Sequence, residues 1–161
     1  MAKLTINEAA AGFTHKVAFD YVDLQRTGFL STIGAANQFK AGKLGPGGII
    51  DTAVLYQIVD PAGASNLTID FGVTAADPDE FIDAGDVDAM TQVIWNTGDA
   101  FVGTDSGAAT TSNVVNGYAN NTASAVDLLV EFNGTVSSLT AGSWVLAWRQ
   151  MEVPTRKDFL C

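Results

Sequence analysis

The chain has 161 residues, 47% of them hydrophobic and 16% charged, and its net charge is −10. That length fits one domain and buries about 70% of its unfolded surface without needing disulfides or metals. All eight Lys and Arg lie outside 44–148, a stretch holding thirteen Asp and Glu, which excludes phosphate neutralisation by its side chains and disfavours nucleic acid or an anionic membrane as partner.

In chain order, Thr5 and Glu8 have capping-box spacing and Gly12 is a stop, which predicts a helix of one or two turns over 5–12. His15–Val22 alternates Val17, Phe19 and Tyr21 with Lys16, Ala18 and Asp20, as in a half-buried strand. Phe29–Ala36 is a weaker strand candidate. Gly42–Gly48 reads as a turn, opening a strand at 49–59 that is apolar on both faces and so is expected to be covered on both. Asp60–Gly63 should turn the chain and return it as a strand over 66–73, giving an antiparallel hairpin.

Further strands are expected at 89–95, 125–132 and 143–151, with Asn133-Gly134 as a hairpin-turn dipeptide. On the last strand Trp144, Leu146 and Trp148 form one stripe, which reads as core. The Gly-, Thr-, Ser- and Asn-rich span 98–121 should be a long surface excursion, with short edge strands near Phe101-Val102 and Val114-Val115. Together these predict an all-β fold: an antiparallel, jelly-roll-like β-sandwich with one or two short helices. The expected organisation is an N-terminal arm and first strand over 1–28, a sandwich over 29–151 and a tail over 152–161.

No motif assembles a catalytic site. Asp77–Asp88 holds six carboxylates, a possible calcium loop. The spacing fits a capped helix better, with Asp77 as N-cap, Pro78 first, Glu80 as capping partner and Gly85 as stop. Asp105-Ser-Gly has the letters of an aspartic-protease signature without its strand context or a second copy. Asp70-Phe-Gly72 lacks every companion motif of a kinase and reads as a strand ending at glycine. His15 is the only histidine and Cys161 the only cysteine. An intrachain disulfide and a multi-histidine metal site are therefore excluded. No enzymatic activity, cofactor or metal is expected. The N-terminus lacks the continuous apolar run of a signal peptide, and no run is long enough to span a bilayer.

Four segments carry a resemblance. Lys43-Leu-Gly-Pro-Gly-Gly-Ile-Ile, Asn66-Leu-Thr-Ile-Asp-Phe-Gly-Val, Asp77-Pro-Asp-Glu-Phe and Thr140-Ala-Gly-Ser-Trp-Val-Leu-Ala-Trp resemble, over about residues 42–150, the head decoration or cement proteins of tailed bacteriophages. The resemblance is one of turns and strands rather than of catalytic residues. It implies a β-sandwich subunit made in the host cytoplasm and carried on the capsid exterior. Its partners would be the major capsid protein and itself, as a homotrimer, stabilising the shell by contacts. The basic residues Lys3, Lys16, Arg26, Arg156 and Lys157 are then candidate capsid contacts, with Arg149 on the last strand as a further cation. A carbohydrate-binding β-sandwich of a phage fibre or adhesin, using Trp95 or the 98–121 loop, is the alternative. A small hydrolase using carboxylates of 77–88 is a third class.

Overall fold

The computed structural model describes residues 12–30, 37–88, 93–95, 97–98 and 117–152, and of Trp95 the backbone alone. In order the elements are β1 (His15–Asp20), α1 (Tyr21–Gln25), β2 (Gln38–Leu44), β3 (Ile49–Ala62), β4 (Thr68–Gly72) and β5 (Ile82–Asp86). They continue with β6 (Val93–Trp95), β7 (Tyr118–Ala119), β8 (Val126–Asn133), a 3-10 turn (Val136–Ser138) and β9 (Ala141–Met151). Two antiparallel sheets pack face to face. Sheet one runs β1-β9-β3-β6, with β7 also on β3, and sheet two runs β2-β8-β4-β5. The expected all-β sandwich is what forms.

Strand alternation builds the core. Trp144, Leu146 and Trp148 of β9 are buried together, as the stripe predicts, beside Ile50, Ala53 and Leu55 of β3. Phe39, Val130, Phe132, Ile69, Phe71 and Ile82 meet them from sheet two. Phe19 sits where the sheets touch, with ring centroids 5.3, 5.6 and 5.8 Å from Phe39, Phe132 and Trp144. Edge-on and offset pairs of this kind add to simple area burial. Gly42 of β2 faces the Trp148 ring, where an added Cβ would lie 3.3 Å from Cζ2. Buried Asn120 fixes the β2–β3 turn, its Nδ2 donating to the carbonyls of Leu44, Gly45 and Ser124.

β3 is buried on both faces at Thr52–Leu55, as its double apolar pattern predicts. On the outer face Phe13 meets Tyr56 edge-on at 6.4 Å, and the neighbouring Val54 and Ala147 are buried. β1 is hydrogen-bonded to β9 from His15↔Trp148 to Asp20↔Ser143, which makes the first strand an edge of sheet one.

Several local expectations are corrected. The strand at 49–59 and the strand at 66–73 are not a hairpin: β3 pairs with β9 in sheet one and β4 with β8 in sheet two. β3 also continues through Pro61 to Ala62, so Asp60–Gly63 is not itself the turn. The chain changes sheets at Gly63 (φ +88), where the Ser138 carbonyl packs close and Thr140 N donates to Ala62 O at 2.7 Å. Asn133-Gly134 likewise leads through the 3-10 turn into the opposite sheet, not into a hairpin.

The capped helix expected over 77–85 is absent. Phe81 N bonds to Phe71 O at 2.8 Å and Ile82–Asp86 is a strand beside β4. Phe81, Ile82 and Val87 are all buried, and only an extended return along β4 brings all three to the core. Conversely, Tyr21–Gln25 is helical where a strand was expected to continue. Asp20 caps it, accepting from Asp23 N while Asp23 accepts from Asp20 N. Gln38–Leu44 is a strand, where the sequence suggested only a turn from Gly42. Phe29 and Leu30 lie in a turn and a bend. The helix expected over 5–12, most of Phe29–Ala36, residues 89–92, Phe101-Val102, Asp105-Ser-Gly, Val114-Val115 and Cys161 lie outside the described residues.

Candidate interaction surface

Lys16 is exposed on the outer face of sheet one, two positions before Ala18 on the same side of β1. Arg26 follows α1, 3.3 Å from Asp23 and with its guanidinium 5.4 Å from the Phe29 ring centroid. Lys3, Arg156 and Lys157 lie outside the described residues. Arg149 is used within the subunit: Nε and Nη2 donate to Asp51 on β3 at 2.6 and 2.7 Å. That hydrogen bond and the Asp51 charge push the guanidinium pKa further above its usual value.

Lys16 and Arg26 flank one feature. A groove of about 320 Å³ is lined by Ala18, Ile58, Ser143 and Val145, together with Asp20 and Asp23. Asp23 is the ion-pair partner of Arg26, so the second cation sits at the groove rim. Ile58 lies at a register irregularity of β3 and is 45% exposed, and Val93, opposite Tyr56 on β6, is 44% exposed. Ala18, Val145, Tyr56, Ile58 and Val93 thus extend across four strands of sheet one as an apolar strip on the solvent side. Partial burial raises the Tyr56 pKa, so its hydroxyl stays protonated. Sequence reading missed this strip, although the second apolar face of 49–59, which includes Ile58, was its signal.

The outer face of sheet two is polar. Gln38, Glu131 and Asp70 stand opposite one another across β2, β8 and β4, and all three are buried. The 73–81 segment covers them. Gln38 Nε2 donates to Ala75 O at 2.9 Å and also to Glu131, and the backbone of Pro78 and Glu80 packs against Gly72. Glu80 accepts from Val73 N at 2.7 Å, Thr74 N at 3.3 Å and the Thr74 hydroxyl. Asp88 accepts from Leu67 N at 2.8 Å. Glu80 and Asp88 of the 77–88 segment are therefore engaged by backbone donors. Among the described residues no three His, Cys, Asp or Glu side chains converge as a metal site.

The remaining candidates sit in structural settings. His15 stacks on Trp148, with centroids 5.4 Å apart, and its Nδ1 lies 2.9 Å from the Thr14 hydroxyl. Asp70-Phe-Gly72 is the end of β4. Trp144 and Trp148 are core residues, which leaves Trp95, whose side chain is outside the described residues, as the tryptophan of any sugar platform. Among the described residues no helix is long and apolar enough to cross a membrane. Comparison with protein-family models, curated proteins and solved structures finds no match to this chain.

Proposed function

We propose that this chain is a structural subunit of a tailed-bacteriophage virion, a decoration or cement protein that binds the outer capsid surface as a homotrimer and stabilises the shell by protein–protein contacts. It has no catalytic role on this reading, and its partners are the major capsid protein and its own copies. The observation that carries the reading is the apolar strip on sheet one, with its groove flanked by Lys16 and Arg26. Contiguous exposed apolar surface rimmed by polar groups marks a protein-binding face. Cations at its rim suit a negatively charged shell and set register more than affinity. The four segments that resemble the decoration proteins supply the turn between β2 and β3, strand β4, the 73–81 crossing and the opening of β9.

Thermal disruption of expanded tailed-phage heads, with and without added protein, tests the reading. Cementing predicts a higher disruption temperature and a trimeric mass by light scattering. A monomer that leaves the heads unchanged contradicts it, and glycan binding lost on Trp95→Ala would instead favour the carbohydrate-binding alternative.

A further inference from the structure

The end of β8 carries a reactive pair that binding to a capsid does not use. Asn133 closes β8 in register with Thr68 of β4, and both Asn133 and Gly134 are exposed. The Phe132 N–H donates to Asn37 O at 3.1 Å on the β2 side, so the Asn133 backbone faces β4 and the Gly134 N–H points away from it. Among the described residues the Gly134 N–H has no hydrogen-bond partner. Gly134 has φ +114 and no side chain to shield its nitrogen. A bare backbone nitrogen beside an asparagine amide is the nucleophile of deamidation.

That amide also ties two strands together. Asn133 Nδ2 donates to Asp70 Oδ2 of β4 at 2.6 Å, while Ala84 N donates to Asp70 Oδ1 at 2.5 Å. Asp70 is 5% exposed. An acid at 133 would replace a donor to this buried carboxylate by a second carboxylate. Oδ2 would lose its hydrogen bond, and like charges out of water repel strongly.

We propose that Asn133 is a modification site: in the folded chain it closes onto Gly134 and deamidates, and the carboxylate produced breaks the tie between β8 and Asp70 of β4. The co-reactant is water. Gly134 N bonds to Asn133 Cγ, the Cγ–Nδ2 bond breaks, and the Gly134 amide proton leaves with Nδ2 as ammonia. Water then opens the cyclic imide. Breaking the bond from N to Cγ gives aspartate, and breaking the bond from N to the backbone carbonyl carbon gives isoaspartate. The approach needs release of the amide from Asp70 and rotation about the Asn133 Cα–C bond, beside an exposed bend, and leaves the rest of β8 in place. The inference goes beyond the capsid reading and does not depend on it.

Incubation of the full-length folded protein at pH 8, then digestion before aspartates and mass spectrometry, reads the conversion. Such digestion puts Asn133 and Asn116, which also precedes a glycine, on different peptides. The expected result is an acid in place of the amide at Asn133, as aspartate and isoaspartate, while Asn37, Asn66 and Asn120 stay intact. Asn133→Gln, which would need a larger ring, should show no conversion. Asn133→Asp reads the product. Its Tm at the same pH should fall about 3 °C or more below that of Asn133→Ala, which loses the donor without adding charge. An Asn133 that converts no faster than Asn37 or Asn66 overturns the proposal, as does an Asn133→Asp variant no less stable than Asn133→Ala.

Discussion

Trp144 and Trp148 show what a single residue contributes here beyond bulk. Both are buried on the core face of β9, yet their indole nitrogens differ. Trp148 Nε1 donates to Gln150 Oε1 at 3.1 Å, and Gln150 Nε2 in turn donates to Lys43 O at 3.1 Å. Trp144 Nε1 is buried without a hydrogen-bond partner. An unmet buried donor costs roughly 1–3 kcal/mol, and removing it recovers part of that. Trp144→Phe should therefore destabilise the fold less than Trp148→Phe, by on the order of 1–2 kcal/mol, because the second change orphans Gln150 as well. Urea unfolding of the two variants checks this, and equal or reversed losses would count against it. That both tryptophans are core was legible from their spacing around Leu146. The hydrogen bond that separates them was not, because Gln150 is joined to Lys43 over a long sequence distance.

Secondary-structure elements were more legible than their pairings. The alternation of β4, β8 and β9 identifies each as a strand, since the large apolar residues that meet the core recur with a period of two. Which strand pairs with which depends on where the chain changes sheets, and hairpin-type turn residues occur at sheet crossings as well. Gly63 is the example. Its φ of +88 suits glycine, and a Cβ there would lie 2.2 Å from the Ser138 carbonyl oxygen. Gly63→Ala should cost about 3 kcal/mol or more, well above the usual Gly-to-Ala effect in a loop, and differential scanning calorimetry would register it as a marked fall in Tm. A loss under about 1 kcal/mol would mean the crossing is not pinned there. At 77–86 the capping letters were misleading for a physical reason. Glu80 is spent on the amides of Val73 and Thr74, and Phe81, Ile82 and Val87 gain more from the core than a short helix returns.

For the whole molecule, the separation of charges along the sequence now has a spatial counterpart. Residues 44–148 build both sheets apart from β1, most of β2 and the end of β9. Among their described acids Glu80, Asp86 and Asp88 accept from backbone amides, Asp51 and Asp127 pair with cations, and Asp70 and Glu131 lie in the covered row on sheet two. Of the cations within the described residues, Lys16, Lys40 and Lys43 lie on the edge strands β1 and β2, Arg26 follows α1, and Arg149 lies on the inner strand β9. Lys16 and Arg26 border the apolar groove, Lys40 and Lys43 engage Asp127, and Arg149 engages Asp51. Of the exposed large apolar side chains among the described residues, Ile58 and Val93 fall in the strip on sheet one, and Val22, Val59 and Met151 lie outside it.

The most direct measurement is the binding isotherm of the protein on expanded, undecorated tailed-phage heads, by co-sedimentation, for the wild type and for Ile58→Asp. Ile58 is exposed, so the charge should leave folding intact while weakening binding about tenfold or more. The account predicts saturable wild-type binding that Ile58→Asp largely removes. It is contradicted if the wild type does not bind, or if both proteins bind equally well.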